Sequence, residues 1–295
     1  MKSFIHKFSI DELHAFSDDD FKNLRAPVGT KNRVNIEIRE SSYWANCLRV
    51  YLMNSSFYRL VCSEDDIITD DMYLFSNEVK EQIMSIPLFY YEFNHLLKKN
   101  FPLKIKNDKI KYKVIDSSVF QESDIGPYIQ HNIPLFNLRP NKSLEIKTIR
   151  LEKRSAKEDA RYKMITGFTY KMNNQTVELS YECPYQVCPR ENMLMPLKYA
   201  LENMKSELTS IKNSLRVENG YFKADCEEER LGILICMELL KKDTSLKIAN
   251  SFKEHSDDDV IVINVDSDKE DVQRCCSEII ERVDETIKFI SINIT

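Results

Sequence analysis

The chain has 295 residues and a net charge of −5, and its hydrophobic content of 42% is sufficient for one elaborate domain or two ordinary ones. The acidic balance argues against a general nucleic-acid-binding surface, because that role requires a basic face that displaces counterions, although local basic patches are compatible with it. The opening residues lack the apolar stretch of a signal peptide, and no run of about 18 apolar residues follows. We therefore expect a cytoplasmic protein whose cysteines are reduced thiols.

The first strong pattern after residues 1–30, which we interpret as an extension ahead of the core, is a helix with two apolar faces at residues 43–53 (YWANCLRVYLM). One stripe at helical spacing consists of Trp44, Cys47, Leu48, Tyr51 and Leu52. Val50 and Met53 continue the apolar character around a second side. We expect one face to pack on a sheet and the other on a second helix; burial within a single domain is the alternative.

Two later segments repeat one order of elements. In residues 175–212 a strand (QTVELSYE) precedes an amphipathic helix, and Pro196 falls in the first turn of that helix. In residues 260–290 a strand (VIVINV) again precedes a long amphipathic helix, for which Ser267 and Glu270 form a capping-box pattern.

The repeat extends backward along the chain. Residues 228–243 predict a second short helix with two apolar faces, and residues 245–252 (SLKIANSF) predict the strand after it. Residues 57–62 (FYRLVC) are interpreted as the corresponding strand of the first half. Each half then has the order strand, two-faced helix, strand, strand and long helix, which predicts an α+β fold built from two copies of one unit.

This repeat divides the chain into predicted domains. They are an extension (1–30), a discontinuous first domain (31–88 and 164–212), an insertion rich in β-structure (89–163) and a smaller second domain (213–295). A short linker within residues 213–218 would hold the halves at an effective concentration of order mM.

The ordered motifs resemble those of the α-like subunits of multisubunit RNA polymerases. Asn46, Leu48 and Arg49 match a run in the short helix of that family. Residues 77–88 resemble the run that ends in Ile-Pro-Leu, and residues 131–162 resemble the insertion segment that ends in Asp-Ala-Arg-aromatic.

The end of the chain resembles the smaller partner of the same family. Residues 231–268 are similar to the eleventh subunit of eukaryotic RNA polymerase II, whereas the earlier motifs are similar to the third. The chain thus resembles a fusion of these two subunits (D and L in archaea), of a kind found in some large cytoplasmic DNA viruses. It departs from the family pattern at Val50, where a second arginine is usual, at Glu229 and Arg230, where His-Thr is usual, and at Ile233, where asparagine is usual.

The resemblance implies two RNA polymerase α-like dimerisation folds in one chain, a pseudo-dimer that serves as a non-catalytic assembly platform. It implies that Asn46 and Arg49 contact the second-largest polymerase subunit, and that Glu78, Asp159 and Arg161 face partners or hold the insertion in place. The implied interface between the halves contains Leu48, Leu52, Leu231, Leu234, Ile235 and Leu239.

The partners implied by the resemblance are the largest and second-largest subunits and the small zinc-binding subunits, in the cytoplasm or the virion. Nucleic acid would be contacted only through the complex, and no membrane, cofactor or catalytic residue is expected. Metal is not expected in the insertion, since no cysteine lies between Cys62 and Cys183. Cys183 and Cys188 also lack a matching second pair.

Two other functions are compatible with the sequence. One is an α/β dimerisation module outside transcription. The other is a stand-alone hydrolase built on the clustered carboxylates of Glu64, Asp65, Asp66, Asp70 and Asp71, although a polar loop is the simpler interpretation of that cluster.

One basic feature also stands out. Residues 103–114 (LKIKNDKIKYKV) predict a hairpin with Ile105 opposite Ile110 and Lys104 opposite Lys111. Like charges opposite each other are mildly destabilising, and an anionic partner would remove that cost. The alternative is a solvated lysine-rich edge that resists aggregation.

Overall fold

The computed structural model of the chain describes residues 3–13, 31–54, 56–89, 93–158, 164–172, 176–184, 192–253 and 259–294. The fold is mixed α+β. Its helices are α1 (Ser42–Met53), α2 (Ser76–Met84), α3 (Met195–Ser214), α4 (Glu229–Lys242) and α5 (Lys269–Ile294). Within these ranges, no helix combines the length and the apolar character needed to cross a membrane.

The strands are numbered in chain order. They are β1 (Ile5–Leu13), β2 (Lys31–Ile38), β3 (Ser56–Val61), β4 (Ile67–Thr69), β5 (Leu103–Lys106), β6 (Lys113–Asp116), β7 (Pro134–Leu138), β8 (Ser143–Ile146), β9 (Arg150–Ser155), β10 (Thr166–Met172), β11 (Val177–Pro184), β12 (Arg216–Glu218), β13 (Tyr221–Asp225), β14 (Ala249–Phe252) and β15 (Val260–Val265).

Two four-stranded antiparallel sheets carry the same topology. The first has the order β1-β2-β11-β10 and the second has the order β12-β13-β15-β14. In both, a hairpin is followed by a short helix (α1 or α4), then by a second pair of strands and a long helix (α3 or α5). In each sheet, the neighbouring strands are therefore the first, second, fourth and third of that copy in chain order. The insertion interrupts only the first copy.

Two of the strand assignments made from the sequence are wrong. Residues Ile5–Leu13, interpreted as part of an extension, form the edge strand β1, which pairs with β2. The FYRLVC strand (β3) pairs with β9 and not with the main sheet, where β10 takes the expected place. Alternation of apolar residues indicates which face of a strand is buried but not which strand lies beside it, so the pattern alone did not identify either pairing.

The insertion begins earlier than predicted, because β3, β4 and α2 lie before residue 89 and both strands pair with strands of the insertion. It contains three small sheets and α2. Their strand orders are β3-β9, β4-β8-β5 and β6-β7. The hairpin predicted for residues 103–114 is wrong, because β5 pairs with β8 and β6 pairs with β7. Lys104 therefore lies opposite Glu145, with 3.1 Å between the ammonium and the carboxylate, and Ile110 is 94% exposed.

The helices of both halves form a common core. Helix α1 packs against α3 and α4, and α5 packs against α3 and α4. The contacts also cross between the halves, since α3 packs on β13 and the backbone N–H of Phe4 donates to the hydroxyl of Thr286 in α5. The buried apolar side chains of both halves accordingly belong to one continuous cluster.

The helix starts and the connection between the halves differ in part from expectation. Pro196 lies in the first turn of α3, as predicted. The expected capping box of Ser267 and Glu270 is wrong, because the Asp268 carboxylate accepts from the backbone N–H of Asp271 (2.8 Å) and caps α5 instead. The predicted linker at residues 213–218 is the end of α3, the buried Leu215 and the whole of β12.

Gly232 lets α4 lie directly on β14. A β-carbon at this position would stand 2.8 Å from the Cβ of Ser251 and 3.1 Å from the Cδ1 of Ile261. An alanine normally favours a helix over glycine, but here the helix would have to move away from the sheet.

We predict that Gly232→Ala lowers the free energy of unfolding by about 1–3 kcal/mol, which is the usual cost of overpacking a core. Denaturant titration followed by circular dichroism measures this. The same substitution in a Ser251→Gly background should recover most of the loss, because the side-chain atoms of Ser251, which lie nearest to the added methyl group, are gone. A stabilising effect of Gly232→Ala alone would contradict the close packing.

Candidate assembly interface

The two short helices meet at the centre of the molecule. The indole N–H of Trp44 in α1 donates to the carboxylate of Glu238 in α4 (2.9 Å), and the thiol of Cys47 lies 3.2 Å from the carbonyl oxygen of Arg230. The earlier residue of α1, Trp44, contacts the later residue of α4, Glu238, whereas Cys47 contacts the earlier residue Arg230. The two helices therefore cross antiparallel. The six side chains predicted for the interface between the halves are all buried: Leu48, Leu52, Leu231, Leu234, Ile235 and Leu239.

A set of charged side chains lies on the same junction. This junction cluster consists of Glu40, Trp44, Glu238, Lys241 and Arg282. The guanidinium of Arg282 pairs with Glu40 and lies 3.4 Å from Glu238, and its carbon is 4.6 Å from the centre of the Trp44 ring. Lys241 contributes a second cation, 2.6 Å from Glu238 and 3.5 Å from Glu40.

The junction cluster joins the halves with polar contacts that are partly shielded from water. The side chains of Glu238 and Arg282 are only 11% and 18% exposed. Glu40 and Trp44 come from the first half, whereas the other three members come from the second. Each carboxylate has two cations and each cation has two carboxylates, so loss of one member leaves a charge in a poorly hydrated site.

Reasoning from the sequence missed this cluster, although one signal was present. Glu238 lies in register with Leu231, Leu234 and Ile235 on the buried stripe of α4, where a carboxylate is unexpected. A lone carboxylate on an apolar stripe predicts a buried cationic or hydrogen-bonding partner. The partner itself, Arg282, is 44 residues away and has no pattern that identifies it.

We predict that Arg282→Ala lowers the free energy of unfolding by roughly 2 kcal/mol, because it leaves the two carboxylates of the junction cluster with Lys241 as their remaining shared cation. Arg274→Ala on the same helix is the matched control. Its guanidinium pairs with Asp271 but is 67% exposed, so its removal should cost at most about 1 kcal/mol. If urea denaturation gives both variants the same loss in free energy of unfolding, the junction cluster contributes no more to stability than an exposed ion pair.

A groove of about 420 Å³ opens beside this junction, between α1, β9 and α3. Glu207 of α3 lies in it, and its carboxylate is 3.2 Å from both the thiol of Cys226 and the backbone N–H of Glu228. Burial raises the pKa of Glu207 above its ordinary value, although these donors oppose the effect. Burial also raises the pKa of Tyr51, and the charge of Glu207 adds to that effect.

The raised pKa of Glu207 makes the stability of the fold depend on pH in one direction. A carboxyl with a raised pKa in the folded state holds its proton more tightly there than in the unfolded chain, so its contribution to stability falls as the pH rises above the ordinary value of 4.5. We predict that Glu207→Gln, which keeps an acceptor for Cys226 and Glu228, gains stability relative to the wild type between pH 4 and pH 7. Thermal unfolding of both proteins across this range measures the difference; a difference that does not change with pH would contradict it.

The residues predicted to bind partners do not form one site. Asn46 and Arg49 are half-buried on α1, and within the described ranges no carboxylate pairs with Arg49, whose nearest polar contact is the sulfur of Met53 at 3.9 Å. Glu78 is exposed in the first turn of α2, in the insertion. Asp159 and Arg161 lie outside the described residues.

The surface around Glu78 is apolar. Met72, Tyr73 and Phe75, just before α2, are 75%, 67% and 58% exposed. A groove of about 520 Å³ beside them is lined by Tyr73 and Glu78. Exposed apolar groups this close together are typical of surfaces that bind another protein.

Two of the clustered carboxylates are engaged in structural contacts. Burial alone would raise the pKa of Asp71, but the N–H groups of Arg139 and Tyr73 and the Arg139 guanidinium lower it. A hydrogen bond from the backbone N–H of Ser143 lowers the pKa of Asp70. A general acid needs a raised pKa, so neither of these two carboxyl groups is suited to that role.

Possible metal ligands and cysteine thiols are the other reactive groups in the described residues. No group of three or more His, Cys, Asp or Glu side chains within the described ranges is arranged to hold a metal ion. Burial raises the pKa of Cys62 to about 11 and that of Cys236, Cys275 and Cys276 to about 12. These thiols stay protonated at neutral pH and are poor nucleophiles.

No model of a known protein family matches the sequence, and none of the curated proteins matches it significantly.

Proposed function

We propose that the chain is a non-catalytic assembly-platform subunit of a multisubunit DNA-directed RNA polymerase. The observation that carries this proposal is the repeated topology: two four-stranded sheets with one strand order, each with a short and a long helix, joined through those helices. We interpret the two copies as α-like dimerisation folds that form a pseudo-dimer within one polypeptide. Residues 89–163 belong to an insertion in the first copy.

The positions of the motifs support this interpretation. The run with Asn46, Leu48 and Arg49 lies on α1, and the segment similar to the smaller polymerase subunit (231–268) covers α4, β14 and β15. Both motifs thus fall on equivalent elements of the two copies, as expected if each half descends from one α-like subunit. Chance resemblance would not be expected to respect this equivalence.

The proposed partners are the largest and second-largest subunits, together with small zinc-binding subunits. Asn46 and Arg49 would contact the second-largest subunit beside the junction. The exposed apolar residues before α2 and the adjacent Glu78 provide a second contact surface in the insertion. Large permanent partners are expected to cover apolar surface of this kind.

A dimerisation module outside transcription would use the same repeated topology, so the topology alone does not separate it from a polymerase subunit. The run on α1 favours the polymerase, because Arg49 has no carboxylate partner within the described part of the chain and is available for an external one.

We predict that the full chain, tagged and expressed in its natural source, co-purifies with two large polymerase subunits in equal amounts, as measured by quantitative mass spectrometry. Arg49→Glu should reduce recovery of the second-largest subunit at least tenfold, because it places a like or unpaired charge in the interface. Arg39→Glu is the control, since Arg39 is exposed and pairs within the chain with Glu37.

Three outcomes would contradict the proposal: purification without any polymerase subunit, equal effects of the two substitutions, or nucleotide polymerisation by the chain alone.

A further inference from the structure

Residues 107–114 connect β5 to β6 and include the first two residues of β6; we call this segment the lysine loop. It is held by Asn107, whose side chain is fully buried. The Asn107 amide donates to the carbonyl oxygens of Lys111 (3.0 Å) and Leu138 (2.8 Å), and its own oxygen accepts from the backbone N–H of Lys109 (3.1 Å). The loop is therefore pinned to β7 from inside, so its outer side chains need little further ordering to bind a ligand.

The outer side of the lysine loop alternates cationic and apolar side chains. Ile110, Tyr112 and Val114 are 94%, 67% and 58% exposed. Lys109 and Lys111 alternate with them and are exposed as well, and Lys113 is half-buried. Side chains this apolar and this exposed within one loop indicate a surface that a ligand covers.

Within the described residues, the lysines of this loop have no carboxylate partner, whereas the two lysines of β5 each have one. Lys106 pairs with Asp108 at 2.7 Å, and Lys104 pairs with Glu145. In the part of the chain that the structure describes, Lys109, Lys111 and Lys113 have no carboxylate partner. A chain with a net charge of −5 thus keeps three unpaired ammonium groups beside an exposed tyrosine.

We propose that the lysine loop binds single-stranded nucleic acid, with the three lysines at successive phosphates and the Tyr112 ring stacked on a base. Cationic groups beside an aromatic platform are the combination that binds single strands without sequence preference. The inference does not depend on the polymerase proposal, because it concerns the chain alone.

Two other anionic ligands fit the loop less well. An acidic peptide would form exposed ion pairs, which contribute little, whereas a nucleic acid also releases condensed counterions on binding. An anionic membrane surface requires a larger apolar face than three side chains interleaved with lysines. The exposed ring of Tyr112 can also stack on a base, and a lipid headgroup does not offer that contact.

Fluorescence anisotropy of a labelled 20-nucleotide oligothymidine with the full chain tests the proposal. For three neutralised phosphates the logarithm of the binding constant should fall with the logarithm of salt concentration with a slope of about −2, so affinity drops roughly 15- to 20-fold between 50 and 200 mM salt. Replacing Lys109, Lys111 and Lys113 by alanine should reduce affinity at least tenfold at 50 mM salt and flatten this slope.

The control replaces three exposed lysines outside the loop, Lys98, Lys147 and Lys247, by alanine. It changes the net charge equally and should alter affinity less than twofold. Tyr112→Ala should weaken binding several-fold without changing the salt slope, and Tyr112→Phe should restore it. Thermal unfolding of each variant confirms that the fold is retained.

Four results would overturn the proposal: no binding by the wild type, equal losses in both triple variants, insensitivity to Tyr112→Ala, or equally tight binding of poly-glutamate or of phosphatidylserine vesicles through the same lysines.

Discussion

The antiparallel crossing of α1 and α4 is the contact on which the rest of the structure depends. Each short helix is apolar on two sides, so neither is stable against its own sheet alone without leaving a hydrophobic face in water. The crossing covers both exposed faces at once. It also brings α3 and α5 together and allows α3 of the first half to pack on β13 of the second. The two sheets therefore share one core, and stability of one half requires the presence of the other.

The junction cluster adds specificity to this crossing. Apolar side chains such as Leu48 and Leu234 pack in many arrangements, but the indole of Trp44 reaches Glu238 only in a narrow range of positions. Buried charge pairs contribute little net stability, yet they make wrong arrangements costly because these leave charges unpaired. We interpret Glu40, Glu238 and Arg282 as the residues that fix the register of the two helices.

The sequence predicts the local elements well and their pairing poorly. Helical periodicity identified α1, α3, α4 and α5, alternation identified β11, and a short run of β-branched residues identified β15. These signals depend on neighbours within one element. The pairing of β1 with β2 and the replacement of β3 by β10 depend on contacts across long stretches of chain, for which no local signal exists. The prediction of a lysine-rich hairpin was wrong for the same reason, since β5 pairs with β8 and β6 pairs with β7.

Burial of the aliphatic residues of α1 and α4 was predicted from the sequence, whereas the junction cluster was not. The six buried aliphatic residues of α1 and α4 follow directly from amphipathic spacing. Glu238 breaks that spacing, and only the folded chain shows that Arg282 and Trp44 offset its burial. The residues that we propose to face partners, such as Arg49 and Glu78, carry no physical signature except the absence of a carboxylate or cation partner within the described residues. A single sequence therefore does not distinguish them from ordinary surface residues.

The buried Leu215 is the entire connection between the end of α3 and the start of β12. A tether of one residue fixes the direction in which the second half leaves the first, so that neither half can rotate away and pair with a neighbouring molecule. Subunit exchange, which is available to any pair of separate chains, is thereby closed to this protein. Synthesis of the two halves in equal numbers is likewise guaranteed at the ribosome and needs no control of relative expression.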